Sequence, residues 1–249
     1  SLIYFLPEME RLFLTSPSIR RNFLDRLVYN HDKDYNKTLN SYKKSILERQ
    51  KILSNYNFDT DWLKNLEKNI VNLGIEIYKK RITHLSVINK NLINLKKINN
   101  KNYRINLFFK DELINNNISQ IDEISEIYLS KLIENRNLDS IIGGCKIGPH
   151  KTDILGKNIE NNMNLNQFST GQQKTIILLI ILAQCQFLIN EAKINPIILF
   201  DEVCSHLDED NREILLDIIE SLNVQTFMTG TEKNFFSFLS TKASYYNIS

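Results

Sequence analysis

The sequence predicts an α/β protein that combines a mostly parallel sheet with an α-helical lobe containing a long antiparallel helical hairpin. Apolar residues recur at intervals of three and four between about residues 35 and 98, which is typical of long packed helices. The nearly all-apolar run at 196–200 ends in two acids, as expected of a central strand covered on both faces. Strand, helix and strand patterns then alternate to the end of the chain, which favours a parallel sheet.

The helical lobe is predicted over residues 1–135. Ser16 and Pro17 suit the cap and first turn of a helix that begins this lobe. Acids between 59 and 61 provide caps for a second long helix that extends to about residue 98 and spans about 50 Å. The stripe that identifies the first hairpin helix is Tyr35, Leu39, Tyr42, Ile46, Leu53 and Tyr56.

The sheet-containing lobe is predicted over residues 136–249. The segment 103–109 alternates like a strand, and 121–137 has the pattern of a helix. "SIIGGCKIGPH" (140–150) resembles a strand that enters a turn. A helix at about 170–190, a strand at 196–203, another helix and a final strand in "VQTFMTGT" complete the prediction.

Composition limits the class of protein. With 249 residues, 42% hydrophobic and 24% charged, the chain is long and apolar enough for a substantial core. Its three cysteines form no C-x-x-C pair, which argues against a disulfide framework or a zinc site. The longest uninterrupted apolar run, Ile176–Ala183, is too short to cross a bilayer, so we expect a cytoplasmic protein without a membrane partner.

Charge is distributed unevenly along the chain. Residues 1–100 contain 18 Lys and Arg against 10 Asp and Glu, a net charge of +8. Residues 101–249 contain 13 against 19, a net charge of −6. The basic part is either a solvated helical surface or a face that binds a polyanion such as DNA.

The stretch "FSTGQQK" places small polar residues at the head of a very apolar helix. Ser169 followed by Gln172 matches a capping box, so one interpretation is a well-capped buried helix. The other is an anion site, because a helix amino terminus offers free amides and a favourable dipole to phosphate. The motif alone leaves both open.

Asp201 and Glu202 follow directly on the buried strand. Ligands of open α/β sheets gather at the carboxyl ends of the strands, where such acids can assist a magnesium nucleotide. The alternative is two surface acids that merely end a strand. Asp208, in the "SHLD" that follows at 205–208, could likewise simply cap the next helix.

Together "FSTGQQK", "IILFDE" and "SHLD" resemble the signature, Walker B and D-loop segments of ABC-type ATPase heads. Among these heads the match is closest to the RecF family of bacterial recombination-mediator ATPases. "PEMERLFLTSPSIRRNFLDRLVY" (7–29) and "GPHKTD" also resemble segments of that family, so the resemblance covers nearly the whole chain and is most specific at 7–29 and 148–231.

The resemblance implies roles for individual residues. The signature loop would grip the terminal phosphate of ATP held mainly by a second subunit, Glu202 would be the catalytic general base, and Asp201 would contact Mg²⁺ through water. The signature-loop candidates are Ser169, Thr170, Gly171, Gln172 and Gln173, and the residues expected to line the dimer seam are Ser205, Leu207 and Asp208.

The family further implies an ATP-dependent homodimer that binds gapped DNA or a single-strand–double-strand junction. RecR, RecO and RecA are the implied protein partners, and ATP with Mg²⁺ the implied cofactors. The alternatives are an SMC-like structural head, which the short hairpin disfavours, and a DNA-binding remnant without enzymatic activity. A transporter subunit is disfavoured because Thr229 and Thr231 stand where such heads usually have a histidine.

One motif of these ATPases is missing from the 249 residues. There is no G-x-x-x-x-G-K-[ST], and the first glycine is Gly74. We therefore expect an amino-terminally truncated chain that alone neither binds ATP tightly nor hydrolyses it. His150 is predicted to be a hydrogen-bonded structural residue. Lys174 could be either a helix-surface cation or a phosphate neighbour.

Overall fold

The structure is a computed structural model. It describes residues 1–55, 59–96, 104–114, 124–205, 207, 209–232, 234, 236, 239 and 243–247. The chain divides into two compact units. We call Thr15–Ser86 with Leu107–Leu155 the helical unit, and Ser1–Leu14, Val87–Asn106 and Gly156–Ser249 the sheet unit.

The helical unit is built around an antiparallel pair of helices. Helix α1 (Pro17–Tyr29) leads into α2 (Tyr35–Leu53), and α3 (Thr60–Lys96) follows. Asp59 caps α3, because its Oδ1 accepts the amides of Asp61 and Trp62 at 2.8 and 3.1 Å. The 37 residues of α3 span about 55 Å, and its last turns belong to the sheet unit.

Polar pairs along the hairpin show that α2 and α3 run in opposite directions. Residues nearer the end of α2 pair with residues nearer the start of α3. The pairs are Thr38 with Glu76 at 2.9 Å, Ser45 with Asn69 at 3.1 Å, and Arg49 with Glu67 at 3.0 Å. The predicted hairpin is therefore confirmed, although Tyr56 lies outside the described residues.

Two short helices and a pair of strands follow the hairpin in the chain. Helices α4 (Ile124–Glu134) and α5 (Arg136–Ile142) follow one another, and strand β2 (Ile105–Lys110) pairs with β3 (Asp153–Asn158).

Three parallel strands form the core of the sheet unit. They are β1 (Leu2–Phe5), β4 (Ile197–Phe200) and β5 (Thr226–Met228), in the order β1-β4-β5. Both neighbours of β4 run parallel to it, with Phe5 opposite Phe200 and Phe200 opposite Met228. The predicted central strand is confirmed, but not its cover on both faces: Ile198 and Phe200 are buried, whereas Ile197 is 39% exposed.

Helix α6 (Thr170–Asn190) is the apolar centre of the sheet unit, and α7 (Glu209–Leu222) packs against it. By length and composition α6 could span a bilayer, but 83% of its most apolar window is buried inside the protein. Its residues from Gln173 to Cys185 are all buried, which is the position of a core helix.

Two local predictions need correction. Residues 140–142 belong to α5, and the strand predicted for "SIIGGCKIGPH" is wrong because Gly143 and Gly144 turn the chain at φ 77° and 103°. Ser16 forms no side-chain cap, although Pro17 does begin α1.

The division into units also differs from the single boundary predicted near residue 135. Strand β1, at the beginning of the chain, pairs with β4 nearly 200 positions later. Each unit is therefore assembled from segments that alternate along the chain.

Candidate nucleotide site

The turn after β4 presents two acids at the carboxyl end of the central strand. Glu202 lies in the left-handed region at φ 51°, so the chain turns sharply directly after Asp201. Both residues are partly exposed. Since a non-glycine residue at positive φ is strained, surrounding contacts must hold this turn in place.

Thr229 provides one of those contacts from the end of β5. Its hydroxyl Oγ1 lies 2.5 Å from Asp201 Oδ1 and donates to it, while the same oxygen accepts the amide of Glu202 at 3.1 Å. Its own amide donates to the carbonyl of Phe200 at 2.9 Å. Sequence reasoning noted Thr229 without giving it a role; its position directly after a strand parallel to β4 is the signal that could have found it.

Lys174 holds the turn from the opposite side. Its ammonium Nζ lies 3.1 Å from the Glu202 carbonyl and 2.6 Å from the Ser205 carbonyl, and it forms an ion pair with Glu10 at 2.6 Å. The side chain is completely buried. Lys174 is therefore neither a surface cation nor an exposed phosphate neighbour, but a link between the signature helix and the turn that carries Glu202.

The signature loop is a capped helix start that stays open to solvent. Ser169 and Gln172 form the predicted capping box: Ser169 Oγ accepts the amide of Gln172 at 3.4 Å, and Gln172 Oε1 accepts the amide of Ser169 at 3.0 Å. Ser169, Thr170 and Gln172 are exposed, and Gly171 is half-buried. The cap and an accessible anion site are thus compatible.

Gln173 differs from its neighbours in the loop. It is only 2% exposed, and its Nε2 donates to the carbonyl of Phe168 at 2.8 Å. The nucleotide contact predicted for Gln173 stays a prediction, and in this conformation its side chain faces the core.

The predicted D-loop residues separate in the structure. The Ser205 hydroxyl donates to the Glu202 carbonyl at 2.6 Å and is partly exposed. Leu207 is 3% exposed within its own chain, and its place on a dimer seam stays a prediction. Asp208 lies outside the described residues.

The acids suit a water-mediated metal contact more than direct chelation. In the described part of the chain no three His, Cys, Asp or Glu side chains converge as a metal site. Mg²⁺ usually keeps several waters and takes one or two carboxylates together with substrate phosphates. Asp201, with a hydroxyl on one oxygen, could supply one such carboxylate.

The chain is similar in sequence to proteins of a known family. No protein-family model matches the chain. The DNA replication and repair protein RecF of Rickettsia typhi is 35% identical over 93% of this chain and 63% of its own length. The protein of the same name from Rickettsia massiliae is 32% identical over 98% of this chain and 67% of its own.

A solved structure of the recombination mediator protein RecF with ATP, in the RecFOR pathway, superposes with a TM-score of 0.80 at 23% identity. The match covers 94% of this chain and 63% of the solved RecF chain. The two proteins therefore share a mixed α/β fold with a parallel sheet. The chain thus spans about two thirds of the length of the relatives it matches. On the extent and identity of the R. massiliae match, the chain belongs to the RecF family.

Proposed function

We propose that the chain is the signature- and Walker B-bearing part of an ATPase that binds DNA in replication and recombinational repair. The whole protein dimerises on ATP, clamps gapped DNA or a single-strand–double-strand junction, and cooperates with RecR and RecO in loading RecA. Membership of the RecF family and the names of the relatives support this function.

One structural observation carries the ATPase part of the proposal. The acidic pair Asp201 and Glu202 lies at the carboxyl end of the central parallel strand, in a turn held by Thr229 and Lys174. A carboxylate on a strained, braced turn is pre-organised for one task, because the support removes its freedom to move away from a ligand.

The proposed mechanism assigns separate roles in ATP hydrolysis to the start of α6, to Glu202 and to Asp201. Bound ATP supplies the phosphoanhydride bond, and the exposed amino end of α6 at Ser169 and Gly171 stabilises phosphate charge of the partner's nucleotide. Glu202 orients the attacking water and accepts its proton, since its half-exposed carboxylate can approach the nucleotide. Asp201 would hold Mg²⁺ through water, and the ion would neutralise phosphate charge, while Thr229 restrains the Asp201 carboxylate.

The test uses the complete gene product that carries these residues. Glu202→Gln should lower ATP turnover about 10²- to 10⁴-fold, because the amide cannot accept the proton, while ATP-dependent dimers persist in size-exclusion chromatography. Glu213→Gln on α7 is the matched control, since Glu213 is exposed and has no ion pair among the described residues. Turnover of Glu202→Gln within a few-fold of this control would assign the general base to another residue.

A further inference from the structure

The helical unit contains a cleft that the proposed ATPase function does not use. Its volume is about 330 Å³, close to the lower end for small-ligand sites. One face of α1, one face of α2, two residues of α3 and the turn at 149–150 enclose it. The residues that line it are Ser18, Arg21, Asn22, Asp25, Leu39, Tyr42, Lys43, Ile77, Arg81, Pro149 and His150.

The charges in this cleft do not balance. Arg81 is buried and compensated, because its Nε and Nη2 each lie 2.8 Å from an oxygen of Asp25. Asp25 is the only acid among the lining residues. Arg21 and Lys43 therefore remain as two positive charges without a carboxylate in the lining.

Both of these cations have donors to spare. Arg21 Nη1 donates to the carbonyl of Thr152 at 2.8 Å, which is its single hydrogen bond to the described residues. Most N–H groups of its guanidinium therefore have no acceptor among these residues. Lys43 is exposed, and no described residue pairs with its ammonium. Burial and the nearby Arg81 lower the pKa of Arg21, although Asp153 and Asp25 act in the opposite direction; an anion in the cleft would further favour the charged guanidinium.

His150 does not add a third positive charge to those of Arg21 and Lys43. Its Nε2 lies 2.7 Å from the Cys145 carbonyl and must donate to it, so Nδ1 accepts from the Tyr42 hydroxyl at 2.7 Å. The Tyr128 hydroxyl lies 2.8 Å from Tyr42 and donates in turn. This chain of hydrogen bonds holds a neutral imidazole at the wall of the cleft. The side chains that line the cleft therefore carry a net charge of +2.

The geometry points to a binding site for a phosphate monoester dianion in this cleft, held by Arg21 and Lys43 with help from the polar groups of Ser18 and Asn22. Two uncompensated cations match the double charge of a phosphate monoester near neutral pH better than the single charge of a carboxylate or a backbone phosphodiester. Arg21 can offer paired donors to the phosphate oxygens. The ester is either a free nucleotide or the phosphorylated end of a nucleic-acid strand.

The proposal does not depend on the proposed ATPase, because every lining residue belongs to the helical unit and phosphate binding is measured without ATP. The probe is inorganic phosphate, titrated into the 249-residue chain at constant ionic strength with chloride as the balancing anion. A ligand that binds only the folded state stabilises it by RT ln(1 + [L]/Kd) and so raises the midpoint of thermal unfolding; a fit of this rise against phosphate concentration gives the affinity.

Lys43→Gln and Arg21→Gln should each weaken phosphate binding about tenfold, the loss expected for one charge-assisted contact. Lys44→Gln should bind like the unmodified chain, since Lys44 is equally exposed and lies next to Lys43 but outside the cleft. Lys43 has no partner among the described residues, so its variant keeps the fold even if Arg21→Gln does not. No phosphate-dependent stabilisation, or equal affinity in Lys43→Gln and Lys44→Gln, would overturn the proposal.

A second arm identifies the source of the phosphate. Short single strands with a 5′-phosphate or a 5′-hydroxyl are compared by fluorescence anisotropy. Tighter binding of the phosphorylated strand that is lost in Lys43→Gln supports a strand end as the ligand. Equal binding of the two strands, together with a positive phosphate titration, supports a free phosphorylated metabolite.

Discussion

Gly148 is the residue at which a side chain is least tolerable in the helical unit. Its φ is 116°, a conformation that L side chains rarely adopt. A Cβ there would lie 2.1 Å from the Tyr128 hydroxyl and 2.5 Å from the Tyr42 hydroxyl. The glycine in "GPHK" therefore lets the turn approach the same tyrosines that orient His150.

Gly148→Ala should lower the free energy of unfolding by about 2–4 kcal/mol, because backbone strain and a steric clash add. Urea unfolding monitored by circular dichroism measures the change. Gly144→Ala is the control: its φ is 103°, but nothing lies within 4 Å of the added Cβ, so only strain remains. Equal losses in both variants would contradict the role given to the tyrosine contacts.

The buried His150 should make stability depend on pH. Burial lowers the pKa of His150 to about 4, whereas the unfolded value is about 6.5. Between these values the unfolded chain binds a proton that the folded chain does not. The contribution of the neutral His150 to the free energy of unfolding is therefore complete above pH ~6.5. About 3 kcal/mol of it is lost as the pH falls towards 4.

Unfolding curves from pH 7 to 4 for the unmodified chain and His150→Gln measure this effect. The variant should be less stable at pH 7 and should lose less stability on acidification, because glutamine does not titrate. Burial also lowers the pKa of His31, so part of the slope must persist in the variant. Parallel curves for the two proteins would show that the pKa of His150 is the same in the folded and unfolded states.

At the scale of elements, the hairpin is joined to α5 by a buried ion network. Arg49 donates to Glu67 of α3 at 3.0 Å and to Asp139 of α5 at 2.6 Å, and a third bond goes to the Leu132 carbonyl. Burial alone would lower the pKa of Arg49, but the hydrogen bonds to Asp139 and Glu67 outweigh it and raise the pKa. One side chain thus fixes the position of three helices.

Arg49→Met should cost about 3–5 kcal/mol of unfolding free energy, because it leaves the buried Asp139 without its cation and Glu67 with Arg136 alone. The urea midpoint is the measurement. Lys37→Met serves as control: Lys37 is exposed and pairs with Asp34 one helical turn away, so its removal should barely move the midpoint. A loss in Arg49→Met no larger than in the control would show that the network is solvated.

At the scale of the whole molecule, the tertiary structure redistributes the charge seen along the chain. The helical unit has 19 Lys and Arg against 16 Asp and Glu, and the sheet unit 12 against 13, so their net charges are +3 and −1. Several of the basic residues are also buried in ion pairs, including Arg20, Arg49 and Arg81. The net charge of +8 along residues 1–100 therefore overstates the basic surface available to DNA.

DNA affinity should still fall as salt rises, though with a modest slope. Each phosphate neutralised by a surface Lys or Arg contributes about −0.9 to the slope of log affinity against log salt for duplex DNA. Anisotropy titrations of a labelled duplex at increasing KCl measure the slope. A flat response between low and moderate salt would remove the charge argument for DNA as a partner.

Local elements with strong residue patterns could be predicted from the sequence alone. The hairpin follows from apolar stripes, the buried strand from its apolar run, and the capped start of α6 from Ser169 and Gln172, because each pattern acts over a few neighbouring residues. The sequence also located Asp201 and Glu202 at the end of β4. The family resemblance, now shown by the relatives, came from these same motifs.

Features that depend on residues distant in sequence could not be predicted and are seen only in the folded chain. Strand β1 has four residues, too few for a periodic signal, and it exists because β4 lies beside it. The burial of Lys174, Gln173 and Leu207 likewise depends on elements remote in sequence. A short pattern specifies which face of an element is apolar, but long-range packing determines which polar side chains that face encloses and which remain open to a ligand.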